Sequence, residues 1–336
     1  MKKIDTCIPF QPFFVDCRYA IVFSAIKTFD IGIFPILADA TFLYGFDDTR
    51  KSRVKFFSDP LITPLSVKMK QMGITRRTTY VNEHNLVKNI ECCIDKGEPI
   101  FVNIDIFYTK LKWLPWLVFD KVISKDHASH GILIYGYDSE SKVFFILDDG
   151  GDGCFTDIMA YEELVEAYIG NTALNNSKDS IIQVYSGLNY QQTGLWQEIA
   201  PHCRCFAQNQ LNNKSIINEN HFLVSSILSN VEDILSSETG FEEYGALRAF
   251  TLQCFQLKNA MKYCISQLFP HEHELICLLD RITFHWRIVY MNFNKAFVSN
   301  NISESAVTNV YDRIEKIQDL EVQCHAYMFE RLVQYA

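Results

Sequence analysis

The hydrophobic pattern of the chain changes near residue 190, and this change constrains the fold more than any other sequence feature. Up to about residue 188, short apolar runs alternate with stretches of helical periodicity. From about residue 220 onward, strand signals disappear and long helical periodicity replaces them. We therefore predict an α+β fold with a mixed domain over 1–188, a polar linker over 189–218 and an all-helical domain over 219–336.

The mixed domain has several readable helices and strands. Apolar residues recur at three- and four-residue spacing after Asp16, which predicts a helix that starts there. A second helix is predicted over 83–95, because a Gly and a Pro follow it directly. Short apolar segments predict strands at 100–105 and 181–185, and a further helix is predicted at 161–168.

A β-hairpin is predicted in the middle of the mixed domain. The apolar runs 131–137 and 143–147 flank a polar turn, and the Asp- and Gly-rich run 148–153 ends the second strand. His130 precedes the first strand and Asp148 follows the second. Because the open ends of two paired strands are neighbours, we expect these two side chains to meet.

The remainder of the chain predicts a bundle of long helices. Pro270 and residues 300–303 interrupt the helical pattern. The predicted helices cover residues 219–238, 241–268, 272–299 and 303–334. They are long and rich in aromatic residues, which is compatible with a homodimer.

Charge and composition exclude several classes of protein. The net charge is −9 with no basic stripe, so a nucleic-acid partner is not expected. No apolar run reaches the roughly 18 residues that a membrane-spanning helix needs, so no membrane association is expected. The N-terminus lacks the pattern of an export signal, and eleven Cys are scattered without a framework. We therefore expect reduced thiols and a cytoplasmic protein.

One set of residues has the order and spacing that cysteine nucleophiles require. Cys17 stands where the first helix is predicted to begin, and a helix N-terminus favours the thiolate. His130 is the expected base and Asp148 the expected orienting carboxylate. Gln11 and the backbone N–H of Cys17 are the expected oxyanion donors. His127 is the alternative base, and Asp149 is the alternative carboxylate.

These residues resemble those of papain-like peptidases, including the bacteriocin-processing C39 type. The resemblance lies in Gln11 six residues before a Cys that opens a helix, and in the strand from His130 that ends in Gly-Tyr-Asp. It extends to the following strand, which ends in Asp148, although Asp149 replaces the usual Pro. The segment 99–105, followed by an aromatic pair, is similar to the N-terminal domain of the butirosin-biosynthesis BtrH-type family. Together the similarity covers about residues 7–185.

The resemblance implies a papain-like fold and an acyltransferase. Family members with a helical C-terminal extension move an acyl group from a carrier-protein thioester to an amine, and a relative in closthioamide biosynthesis forms amide bonds on a diamine. The implied partners are an acyl or peptidyl carrier protein and a small amine. Phosphopantetheine enters only as part of the carrier-protein substrate, and no other cofactor is implied. The alternatives are a cysteine peptidase and a binding protein that kept the fold.

Other polar and aromatic residues near the predicted triad are candidates for substrate binding. Asp105 and Tyr108 can hold an amine or a pantetheine arm, and His127 can line the loop that precedes His130. Trp113 and Trp116 in the same loop provide either an apolar wall for the acyl group or ordinary packing.

Two short runs of possible metal ligands do not predict a metal site. The run 202–205 holds a His and two Cys, but no second pair follows at zinc-site spacing. The two His of the run 271–273 are spaced wrongly for one helix face. The Gly-rich run 150–153 lacks the Lys of a phosphate-binding loop and predicts a turn.

Overall fold

The fold was derived from a computed structural model of the chain. The structure describes residues 1–7, 9–10, 17–29, 32–46, 56–61, 64–109, 127, 129–149, 154–174, 181–187, 198–218, 240–299 and 303–336. These residues form mixed α and β structure, with an antiparallel sheet followed by C-terminal helices, as the sequence predicts.

The chain divides into two compact units, and both are discontinuous in sequence. Unit 1 comprises residues 1–33 and 65–197, and unit 2 comprises residues 34–64 and 198–336. This division differs from the predicted boundary, because residues 34–64 fall outside the mixed domain that was predicted over 1–188. The physical reason is that this segment packs within the helical unit, where the Gln210 side chain donates a hydrogen bond of 2.6 Å to the carbonyl of Ala40.

The central feature of unit 1 is a seven-stranded antiparallel sheet among the described residues. Its strands are β1 (Lys2–Lys3), β4 (Ile74–Tyr80), β5 (Ile100–Asp105), β6 (Ser129–Asp138), β7 (Val143–Asp149), β8 (Cys154–Ala160) and β9 (Ile181–Gly187). The order across the sheet is β4-β9-β5-β6-β7-β8, and β1 pairs with the end of β6. The predicted β6–β7 hairpin is confirmed.

Helices cover this sheet, since its central strands have buried residues on both faces. Helix α1 packs against β6 and β7, and α5 packs against β5. In the part of unit 1 that the structure describes, the helices are α1 (Cys17–Thr28), α3 (Leu65–Gln71), α4 (Glu83–Asp95) and α5 (Tyr161–Leu174), with a 3-10 turn at Ile106–Tyr108.

Local sequence signals explain the best-predicted of these elements. Helix α4 begins after Asn82, whose side chain accepts a hydrogen bond from the backbone N–H of Asn85, as an N-cap should. It ends at Asp95, and Gly97 follows soon after with a φ of 75° that glycine adopts without strain. The predicted helices after Asp16, over 83–95 and over 161–168 are therefore confirmed, the last with a longer extent.

Unit 2 combines a two-stranded hairpin with helices. The hairpin consists of β2 (Ala40–Phe46) and β3 (Phe56–Leu61), and it follows the short helix α2 (Phe34–Leu37). Helix α6 (Ile199–Asn212) lies inside the stretch that was predicted as a linker over 189–218, so that prediction was wrong for these residues. The stretch is polar in composition, but its buried positions recur at helical spacing, and they are His202, Cys203, Phe206, Ala207 and Gln210.

Three long helices follow among the described residues of unit 2, namely α7 (Gly240–Leu268), α8 (His273–Ser299) and α9 (Glu304–Leu332). They confirm the helices predicted over 241–268, 272–299 and 303–334. Ser303 caps α9 by accepting a hydrogen bond from the backbone N–H of Ala306. The helix predicted over 219–238 lies outside the described residues, and so does part of the predicted helical domain over 219–336. Within the described part of the chain, no helix is both long and apolar enough to cross a membrane.

Candidate active site

A histidine and a carboxylate meet at the open end of the β6–β7 hairpin. The Nε2 atom of His130 lies 2.6 Å from Oδ1 of Asp148. The Asp148 side chain is fully buried, and 15% of the His130 side chain is exposed. Strand pairing produces this contact, because β6 begins beside the end of β7 in the antiparallel sheet. Of the two candidate carboxylates, Asp148 is therefore the one that contacts His130, while the side chain of Asp149 lies outside the described part of the chain.

The contact also assigns the protons on the His130 ring. An ionised carboxylate only accepts hydrogen bonds, so Nε2 must be the nitrogen that donates. In a neutral imidazole, Nδ1 then carries the lone pair. The pair can therefore take a proton at Nδ1 while the buried carboxylate stabilises the resulting imidazolium.

The helix expected to carry the nucleophile lies against the same strands. Helix α1 begins at Cys17 and packs against β6 and β7, which carry His130 and Asp148. Just before it in sequence, the backbone N–H of Phe10 donates to the Ser24 hydroxyl at 2.9 Å, which fixes the incoming chain to this helix. The Cys17 side chain and Gln11 lie outside what the structure describes.

The surroundings of three buried thiols disfavour them as nucleophiles. Burial raises the pKa of Cys7 to about 11, partly offset by a hydrogen bond with Thr28. Burial likewise raises the pKa of Cys254 and Cys264 well above the ordinary value. Since the thiolate is the reactive form, these buried thiols are inert at neutral pH.

A second histidine–carboxylate pair lies at the same end of the sheet. The Nδ1 atom of His127 lies 2.6 Å from Oδ2 of Asp105. Asp105 is fully buried, and its Oδ1 accepts a hydrogen bond from the backbone N–H of Phe107 at 3.0 Å. By contrast, 45% of the His127 side chain is exposed. The pair therefore has one buried member and one that reaches solvent.

Strand register relates the two pairs to each other. Ile104 pairs with His130, and Asp105 pairs with Ser129. Paired residues share a face of the sheet and successive residues alternate, so Asp105 and His130 point to opposite faces. The two pairs therefore reach the same end of the sheet from its two sides.

Aromatic rings surround the His127 imidazole. The Phe107 ring centroid lies 4.3 Å from that of His127, and the Tyr108 centroid lies 5.7 Å from it. Both rings remain partly exposed. On the inner side, the Tyr108 ring and the Asp105 carboxylate approach Gly170 of α5 so closely that a side-chain carbon there would collide with the ring. The sequence reasoning missed Phe107 and Gly170, although the aromatic pair 107–108 was visible.

Two of the remaining candidate residues, Trp113 and Trp116, lie outside the described residues. His202 and Cys203 face the interior of unit 2, and the Cys203 thiol donates to the carbonyl of Leu268. Glu272 accepts hydrogen bonds from three C-terminal residues and is buried. Among the described residues, no group of three metal-ligating side chains is found.

Comparison of the chain with protein-family models and with curated proteins gives no match in either case. The chemistry of this chain is therefore inferred from its geometry and from the order of its residues.

Proposed function

We propose that the chain is a papain-like, cysteine-dependent acyltransferase that moves an acyl group from a carrier-protein thioester to a small amine. The observation that supports this most strongly is the His130–Asp148 pair on the two strands against which the helix beginning at Cys17 packs. A helix N-terminus favours a thiolate, and Nδ1 of His130 is the ring nitrogen that accepts a proton when Nε2 donates to Asp148.

In the first half-reaction, His130 accepts the Cys17 proton and the thiolate attacks the thioester carbonyl. A bond forms between the sulfur and the acyl carbon, and the bond to the pantetheine sulfur breaks. The protonated His130 then returns its proton to the leaving thiolate. Gln11 and the Cys17 backbone N–H stabilise the oxyanion in this proposal.

In the second half-reaction, the amine attacks the acyl-Cys17 thioester and the amide leaves. His130 takes a proton from the attacking nitrogen and gives it to the Cys17 thiolate. The reaction needs a carrier protein and an amine, and no metal or redox cofactor takes part. The proposal includes a cytoplasmic location, where thiols such as Cys17 stay reduced.

The test is intact-protein mass spectrometry with a phosphopantetheinylated carrier protein that bears an acyl thioester. We expect the wild-type chain to gain the acyl mass and to lose it as an amide when an amine is added. The Cys17→Ala variant should gain no mass, whereas the Cys92→Ala variant, which removes an exposed thiol of α4, should behave as wild type. Cleavage of peptides with no acyl transfer would instead indicate a peptidase. Full pathway activity of Cys17→Ala would indicate a binding protein.

A further inference from the structure

The amide-forming step releases one more proton than the His130 relay consumes. A primary amine is mostly an ammonium at neutral pH, since amines of the Lys type have a pKa of about 10.4. Amide formation removes two protons from that nitrogen. His130 can pass one of them to the Cys17 thiolate, and the other must leave for solvent before the nitrogen can attack. If His130 accepted the proton that the ammonium loses before attack, it could not accept the second proton during the attack.

The His127–Asp105 pair has the features of a base that can take this surplus proton. Its carboxylate is fully buried and lies 2.6 Å from Nδ1 of His127, so Nδ1 donates and Nε2 carries the lone pair. Burial of a carboxylate is costly unless it is well paired, and this one is held by the imidazole and by the backbone N–H of Phe107. The exposed imidazole can pass a proton directly to water.

The neighbouring rings suit a cationic ligand. Phe107 and Tyr108 pack around the imidazole and both are partly exposed. Aromatic faces attract ammonium groups, and the net charge of −9 favours cations generally. The pair approaches the end of the sheet where His130 lies, but from the opposite face, because Asp105 pairs with Ser129, the neighbour of His130.

We infer that His127 is a second catalytic base, which deprotonates the incoming ammonium with Asp105 as its positioning residue. This inference rests on the proposed acyl transfer. The Nε2 atom of His127 accepts a proton from the ammonium, and the neutral amine then attacks acyl-Cys17. The carbon–nitrogen bond forms as the carbon–sulfur bond breaks, His130 moves the second proton to the sulfur, and His127 releases the first proton to water.

Two nucleophiles of different charge test this assignment. n-Butylamine is cationic at neutral pH, whereas hydroxylamine is largely uncharged and needs no prior deprotonation. The full-length chain would be acylated with the N-acetylcysteamine thioester of benzoate, and capture of the acyl group by each nucleophile would be timed. We expect His127→Gln to slow capture by n-butylamine on the order of 10²-fold at pH 7 and to slow capture by hydroxylamine much less. Capture by n-butylamine in this variant should keep rising with pH, whereas in the wild type it should level off.

The control is His84→Gln, which removes an exposed histidine of α4. We expect it to match the wild type with both nucleophiles. If His127→Gln slowed capture by both nucleophiles equally, the residue would have a structural role and the inference would be overturned. The inference would also be overturned if this variant kept the wild-type capture rates and pH profile. Failure of the wild-type chain to form an acyl-enzyme would instead overturn the proposed function. Imidazole should restore n-butylamine capture to His127→Ala, which separates loss of a base from loss of folding.

Discussion

Oδ1 of Asp148 accepts a hydrogen bond from Nε2 of His130 across 2.6 Å, from a position that solvent does not reach. The carboxylate thereby selects the ring tautomer whose Nδ1 is a base. An amide at this position can donate to Nε2 and so permits the opposite tautomer. We therefore expect a change at Asp148 to affect the rate of acyl transfer more than the stability of the fold.

We therefore predict that Asp148→Asn lowers the rate of acyl transfer by about 10²- to 10⁴-fold. The rate would be measured as amide formed from a carrier-bound thioester, with circular dichroism to verify the fold. Asp157→Asn is the matched control, because Asp157 lies on the adjacent strand β8 and accepts from the backbone N–H of Ile158. An Asp148→Asn variant as fast as the control would show that the carboxylate does not orient His130.

A buried ion pair in unit 2 gives a stability prediction. Nζ of Lys258 on α7 lies 2.8 Å from Oε1 of Glu321 on α9, and both side chains are almost completely buried. Glu321→Gln leaves a buried ammonium without this counter-charge, so we expect a loss of about 3–5 kcal/mol in the free energy of unfolding. The double variant Lys258→Met with Glu321→Leu should recover most of that loss. Urea denaturation measures both, and a double variant as unstable as the single one would contradict the explanation.

A third prediction concerns the C-terminal residues. Buried Glu272 accepts hydrogen bonds from Nε of Arg331, the Gln334 amide and the Tyr335 hydroxyl. Glu272→Gln removes the negative charge and one of the two acceptor oxygens, so the amide cannot accept all three bonds, and we expect a loss of about 1–2 kcal/mol in the free energy of unfolding. Limited proteolysis should also release the C-terminal residues sooner. Glu315→Gln changes an exposed residue in the middle of α9 and should leave both measurements unchanged.

A fourth prediction concerns pH. Burial lowers the pKa of His285 below its usual 6.5, and the cations Arg313, Lys316 and Arg281 lower it further. The unfolded chain therefore binds a proton at this residue before the folded chain does, as the pH falls. The neutral ring stabilises the fold above about pH 6.5, and this contribution is lost as the pH falls toward the lowered pKa. We expect His285→Gln to show a smaller loss of thermal stability than wild type between about pH 7.5 and 5.5, while His84→Gln keeps the wild-type slope.

Local sequence patterns were sufficient to predict many of the helices and strands and part of the candidate active site. The hairpin that joins His130 and Asp148 was predictable because both strands are short apolar runs separated by a polar turn. Helix α1 was predictable because its apolar residues recur at helical spacing. In both cases the residues that make contact are close in sequence, so periodicity and turn signals carry the information.

Features that depend on distant contacts were not predictable in this way. The hairpin β2–β3 belongs to unit 2, and its placement depends on helices far along the chain. Helix α6 was read as a linker, because a polar composition outweighed the helical spacing of Cys203, Phe206 and Gln210. The His127–Asp105 contact was not predicted as a pair, because His127 precedes β6 and so lies outside the strand pattern.

The route of the chain through the two units has a consequence for its biosynthesis. Residues 34–64 leave the ribosome long before α6 and α7, the helices on which they pack in unit 2. Loop closure over such a separation is slow, so the nascent hairpin must wait in a partly exposed state, where chaperones can bind it. If the gene were divided near residue 190, residues 34–64 and the helices on which they pack would be on different fragments. The two fragments should therefore be recovered in folded form more readily when they are co-expressed than when either is expressed alone.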